Sequence, residues 1–257
     1  MAATVDHKAF VQPVEPSATI WRYMDLPKLV ALLATEALYF PRLDQLEDPF
    51  EGSLSKEEYE HWKHMAAEAE SNGTIPDRWK GQYLDRLLAN ARRARRAIYV
   101  NCWHVSNSES EAMWRLYSPS GYGVAIQSTY TALTNVLPSK IHTGCYIGLV
   151  QYTDHHHEAM PQGNIFYAVT HKRRAFEHEK EARAVIWLGD RGVDADPDQA
   201  TNPIGLSVPV DVRALIKSVH VSPIAPAWFA DSVRAVIDRF GPHLPVEQSE
   251  LKTTPYY

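Results

Sequence analysis

Cysteine, long apolar runs, excess positive charge and glycine-built phosphate motifs are all scarce or missing in this chain of 257 residues. Its two cysteines, Cys102 and Cys145, are too few for a disulfide framework and suit a reducing compartment. The longest early apolar run, Leu29 to Ala34, is too short to cross a bilayer, so no membrane span is expected. The N-terminal stretch MAATVDHKAFVQPVEP lacks the basic start and apolar centre of a secretory signal, and a cytoplasmic location is expected. With 31 acidic against 26 basic residues the formal charge is -5, which provides no general attraction for nucleic acid or an anionic membrane. G-x-G-x-x-G, the P-loop and the G-x-S-x-G elbow are absent, so those routes to phosphate binding and serine nucleophilic catalysis find no support.

What is present is an ordinary globular composition, 45% hydrophobic and 22% charged. Its periodicity predicts an α+β fold: one mixed or mostly antiparallel sheet with flanking helices. No linker composition divides the chain, so a single domain over 1–257 is expected, with a two-helix insertion at about 54–97. Strands are predicted at Ile20 to Tyr23, Leu38 to Phe40, Ile98 to His104, Val124 to Gln127, Tyr146 to Tyr152, from Ala182, at Gly205 to Val208 and at Ser218 to Val221. Asp25 caps a helix bearing Leu29, Leu32 and Leu33, and Asp48-Pro49-Phe50-Glu51-Gly52 is a turn signature. Capping-box spacing appears at Ser55/Glu58 and Ser108/Glu111. A second insertion helix is expected from Asp77, and a last one over Trp228 to Phe240 with Val233, Val236, Ile237 and Phe240 inward.

Several clusters have both a chemical and a plain reading. Cys102, His104, His142 and Cys145 offer zinc-type donors, but the spacing lacks knuckles on both sides, and no metal is expected. His155, His156 and His157 read as a polar loop, because consecutive residues do not converge on one point. Arg92, Arg93, Arg95 and Arg96 form the strongest basic run. Near a helix C-terminus they read as its solvated face, and any nucleic-acid contact would fall to them.

The richest stretch is Lys172 to Arg183, KRRAFEHEKEAR. A helix ending near Glu179 is expected, with Lys172, Phe176 and Glu179 on one face, and Glu181 and Arg183 then alternate into the apolar run from Ala184 to Leu188. A carboxylate at the mouth of a strand can face a cleft. It can equally pair with its alternate neighbour, Glu181 with Arg183, as a structural clasp.

The segments WRYMD, LYFPRLDQLEDPFEG, CWHVSNSESEAMWRLYSPSGYGVAI and K-x-x-x-F-x-x-E-x-E-x-R resemble, in order and over most of the chain, the bacterial family called domain of unknown function 2971. A second similarity is to ADP-ribosyltransferases of the arginine-serine-glutamate type: Arg22 in WRY, Ser106 after the CWH strand, and Glu179-Lys180-Glu181 before AVIW. This second resemblance implies an NAD-dependent transferase with a split sheet, possessed by bacterial toxins and defence effectors. Glu181 would be the catalytic carboxylate and Glu179 would orient the acceptor, whose identity the sequence leaves open. Arg22, with Trp103, His104, Ser106, Tyr117 and Lys172, would hold the dinucleotide. Two other readings stay open: a non-catalytic ligand- or partner-binding protein, and a metal-dependent hydrolase or nuclease using Asp48, Glu51, Glu179 and Glu181.

Overall fold

A computed structural model describes residues 6–138, 144–161, 163–189, 202–240 and 243–253. Along the chain run β1 (Thr19–Asp25), α1 (Leu26–Thr35), β2 (Ala37–Pro41), α2 (Lys56–Ser71), α3 (Tyr83–Arg95), β3 (Ile98–Val105), α4 (Glu111–Tyr117) and β4 (Gly123–Thr129). There follow α5 (Tyr130–Val136), β5 (Cys145–Leu149), β6 (Gln151–Thr153), α6 (Phe166–Thr170), β7 (His171–Arg173) and a 3-10 helix at Arg174–Glu179. The remainder is β8 (Glu181–Trp187), β9 (Gly205–Pro209), α7 (Val212–Leu215), β10 (Ser218–Val221), α8 (Ala227–Phe240) and β11 (Val246–Gln248).

The architecture is α+β, with a seven-stranded sheet ordered β11-β10-β4-β1-β3-β8-β5 and flanking helices. Every pairing in it is antiparallel except β10 with β11. One face is closed by α1, α5, α7 and α8 over a core that includes Ile20, Met24, Trp103, Ile126, Ala184 and Ile186. The opposite face carries two smaller clusters: Trp21, Tyr23 and Ala125 under α4, and Val100, Val185 and their neighbours under Phe166 and Val169 of α6. Alternation along each strand sorts these residues to one side or the other.

The central sheet is not uniformly zipped. β1 matches β4 over seven residue pairs and β3 matches β8 over seven, yet β1 meets β3 only at Ile20↔Val105 and Trp21↔His104. Beyond Trp21 the two strands diverge, leaving a fork bordered by Arg22 on one side and Cys102 and Trp103 on the other.

Local signals were mostly sound. Asp25 Oδ1 accepts from Lys28 N at 2.9 Å, and both bonds of the Ser55/Glu58 capping box form, at 3.2 and 2.8 Å. Gly52 sits at φ 68°, where a Cβ would strike the Leu43 side chain, so glycine is required in that turn.

Four expectations need correction. The second insertion helix starts at Tyr83, because Gly81 at φ 74° separates it from the 3-10 turn Asp77–Trp79. The cap of α4 is Ser110, whose Oγ accepts from Met113 N at 3.4 Å, not Ser108. Glu109, between them, is drawn instead to Trp114 Nε1 at 2.8 Å and Ser249 Oγ at 2.5 Å. Lys172 is not helical: β7 pairs with β6, Tyr152 opposite Lys172, so a tertiary partner overrides the helical spacing. Phe240 is 38% exposed, one turn beyond the point where α8 leaves the core.

Candidate functional site

Where the 3-10 helix ends, Lys180 adopts φ 40°, ψ 58°, a left-handed conformation uncommon for a residue with a side chain. This turn reverses the chain from Glu179 into β8. Its backbone is tied to β3 by Val105 N donating to the Lys180 carbonyl at 2.8 Å. Pairing of β8 with β3 then sets His104 opposite Glu181 and Cys102 opposite Arg183, so these four share a face.

On that face lies a closed network of ions. Arg183, 1% exposed, donates to both oxygens of Glu181 at 2.6 and 2.9 Å, to both oxygens of Glu51 at 2.9 and 3.2 Å, and to the Val169 carbonyl at 2.8 Å. Lys172 Nζ lies 2.6 Å from Glu179, 3.0 Å from Glu51 and 3.5 Å from Glu181, and 4.8 Å from the Phe176 ring centroid. Next to it, Arg173 pairs with Asp48 at 2.7 and 3.2 Å. Buried charge persists only when it is paired and hydrogen-bonded, and here three carboxylates meet two cations, with both oxygens of Glu51 and of Glu181 engaged.

The electrostatics follow from that packing. Burial alone would raise the Glu51 carboxyl, but Arg183 and then Lys172 reverse it and hold it at about 2. Burial opposes the charge on Lys172, and Glu181 and Glu51 more than restore it, so its pKa is raised. Glu179 differs: burial, then the charges of Glu181 and Glu51, raise it despite Lys172. Its side chain is 14% exposed against 4% for Glu181. Glu179 is therefore the more open carboxylate of the two. Cys102 is a thiol, pushed well up by burial and then by Glu181, and is no nucleophile.

At the fork the situation is reversed. Arg22 lies 5.9 Å from the Trp103 ring centroid and has no hydrogen bond or ion pair with any described residue. Withdrawal from water lowers its pKa to about 10, which still leaves it charged at neutral pH. Strand alternation groups Arg22 with Ile20 and Met24, on the Trp103 side, whereas Glu181 belongs to the other face. Because β1 and β3 part here, the guanidinium comes within electrostatic reach of Cys102 and Tyr117. Tyr117, a residue 46% exposed, has its pKa raised by loss of water around its hydroxyl and then by Glu179, Cys102 and Glu181, against the opposing charge of Lys172. Tyr117 thus stands between the unpaired cation and the clasp.

The remaining residues divide. Trp103 is not a stacking surface: it is 1% exposed, its Nε1 donates to Asn101 Oδ1 at 2.7 Å, and its parity on β3 faces the main core. His104 Nδ1 donates to the Glu179 carbonyl at 2.6 Å, which requires that nitrogen to carry the proton, and burial lowers the ring's pKa. The hydroxyl of Ser106 accepts from Ser108 N at 3.2 Å, a local turn contact. Cys102 and Cys145 lie on opposite faces of the sheet, the first against Glu181 and the second in the main core, so the zinc set cannot converge; His142 lies outside the described residues. Glu51, Glu179 and Glu181 do converge, but on Lys172, and among the described residues no group of three His, Cys, Asp or Glu is disposed to hold a metal. Of the basic run, Arg92 is exposed, Arg93 is 8% exposed and Arg96 lies 3.8 Å from Asp44. Four arginines within five helical positions cannot share one solvated face. Missed in the sequence was the part of Glu51 as second clamp on Arg183, across 132 positions; its place in a glycine-closed turn was the one signal.

No helix among the described residues is long and apolar enough to cross a membrane. No family model matches the chain, the domain-of-unknown-function family included, and no curated protein matches it. Among solved structures the chain is similar to Thermus sp. 2.9 DarT in complex with carba-NAD+, at TM-score 0.39 and 10% identity, over 93% of this chain and 98% of that one. A likeness that loose decides neither fold nor activity.

Proposed function

We propose that the protein is an NAD-dependent ADP-ribosyltransferase-like enzyme whose dinucleotide enters the fork between β1 and β3. The observation that carries this reading is Arg22: a half-buried guanidinium with no counter-charge among the described residues. Arg42, Arg173, Arg183 and Lys172 all have carboxylate partners. A planar fork of donors held open in this way suits a pyrophosphate, which it grips through two parallel hydrogen bonds.

In this reading the exposed ring of Tyr117 stacks on a base or on nicotinamide. The bond between nicotinamide and ribose C1′ breaks with its electron pair leaving on nicotinamide, and the oxocarbenium centre is stabilised by nearby carboxylate charge. Glu179 takes the proton from the acceptor as it attacks C1′, a role suited to its raised pKa and its greater exposure. Glu181, gripped on both oxygens by Arg183, contributes fixed negative charge behind it.

Isothermal titration with NAD, together with assay of nicotinamide release, tests the proposal on wild type, Arg22→Gln and Glu179→Gln. Expected are at least tenfold weaker NAD binding for Arg22→Gln, and for Glu179→Gln a loss of release of a hundredfold or more with binding retained. Absence of NAD binding by wild type at millimolar concentration would sink the reading. A second reading, a binding protein without catalysis, is favoured by the saturation of Glu181 and Glu51 by Arg183. It is distinguished by NAD binding that depends on Arg22 with no nicotinamide released.

A further inference from the structure

Away from the fork, the two insertion helices lean on the rest of the chain around a pair of hollows of about 460 and 380 Å3. Gly52, Leu54, Ala91 and Arg95 line both, which makes them compartments of one site with Arg95 at the junction. Neither is lined by Arg22, Glu179 or Glu181. Volumes of a few hundred Å3 are those of small-molecule sites.

The larger compartment has three chemical features. Its walls are mostly apolar and aromatic, with Trp62, Ile165, Val169 and Trp187, and the one carboxylate in the lining, Glu58, accepts from Ser55 N in the cap of α2. Arg95 Nε is shut off from water with no hydrogen-bond partner, and no described residue forms an ion pair with this arginine. Asn90 also lines the hollow, and its Oδ1, beneath the wall, is a buried acceptor with no donor among the described residues. Buried polar groups are nearly always satisfied, so two orphans of opposite kind in one cavity call for a molecule that supplies both an acceptor and a donor. Exposed Arg92 lines the smaller compartment and adds positive charge at the same end.

We propose that this cavity binds a small organic anion with a ring-sized apolar body. Its carboxylate or phosphate meets Arg95, and an N–H or O–H on the ring donates to Asn90 Oδ1. The ring packs between the walls bearing Trp62 and Trp187. The site is separate from the dinucleotide fork but mechanically adjacent to the ion network: Phe50 and Gly52 flank Glu51, and Val169, whose carbonyl accepts from Arg183 at 2.8 Å, forms part of its wall.

Indole-3-acetate and 5′-AMP carry all three features with different anionic groups, and serve as probes by isothermal titration against the full chain. Expected is binding of at least one probe that Arg95→Leu weakens tenfold or more, that Ala91→Phe abolishes by filling the junction, and that Arg22→Gln leaves unchanged. Preference between the probes tells carboxylate from phosphate. Thermal unfolding of each variant shows that the fold survives, and Ala91→Phe supplies an independent reading if Arg95→Leu does not. The inference is overturned if neither probe binds at millimolar concentration, if binding ignores Arg95 and Ala91, or if Arg22→Gln removes it, which would return the probe to the fork. Loss of NAD binding in wild type bears on the transferase reading alone.

Discussion

Arg22 and Arg183 are the same side chain on strands of one sheet, separated by β3, and their surroundings are opposite. Arg183 has carboxylates on both sides and a carbonyl besides, and exposes 1% of its surface. Arg22 has an aromatic ring at 5.9 Å and no carboxylate partner among the described residues. A buried cation with its counter-charges built in serves the fold; a half-buried one without them is held ready for an anion from outside. The difference arises where each strand lies. β8 is paired on both edges, by β3 and β5, and its charged face is sealed by the Glu51 turn and α6, whereas β1 loses its β3 neighbour just before Arg22.

The largest effect should come from breaking the clasp. Arg183→Met leaves Glu51 and Glu181 buried without their main partner and should lower stability by about 3–5 kcal/mol, read from urea unfolding. If stability hardly changes, the network is not the structural element described here.

A smaller effect should come from protons. Glu51 has a folded-state pKa of about 2, below its ordinary value of 4.5. Its contribution is therefore complete above pH 4.5 and is lost as pH falls toward 2, because the unfolded chain takes up the proton first. Glu51→Gln should cost about 3 kcal/mol at pH 7 and flatten that part of the acid limb in unfolding measured from pH 7 to pH 2.5. An unchanged acid limb would mean that the carboxyl titrates normally.

Least of all should happen at the fork. Arg22→Met removes a guanidinium with no ionic partner, and should shift the midpoint of urea unfolding by less than about 1 kcal/mol equivalent. A loss as large as that of Arg183→Met would show that Arg22 is structural too, and would remove the contrast.

Much of the frame was legible in the chain because it depends on local physics. Short apolar runs marked β1, β3 and β8, and short-range oxygen-to-amide bonds marked Asp25 and the Ser55/Glu58 box. The misreadings share a cause. Lys172, Phe176 and Glu179 have helical spacing, but β6 captured Lys172 into a strand, and the pair still met at 2.6 Å through the 3-10 turn. Trp103 has the composition of a ligand platform, and its strand parity turned it into the core.

By itself, then, the sequence determined most of the central strands, the caps at Asp25 and Ser55 and the density of charge around Lys172 to Arg183, since these follow from side-chain pattern and bonds within a few residues. Which of those charges would be neutralised was decided only in three dimensions. Arg183 meets Glu51 from 132 positions away, and Arg22 is left open because β1 and β3 separate beyond Trp21. Glu181 reaches Arg183 by spacing along its strand, but the second counter-charge, Glu51, is delivered from a distant turn, and its delivery beside Arg183 and not beside Arg22 distinguishes a clasp from a binding site.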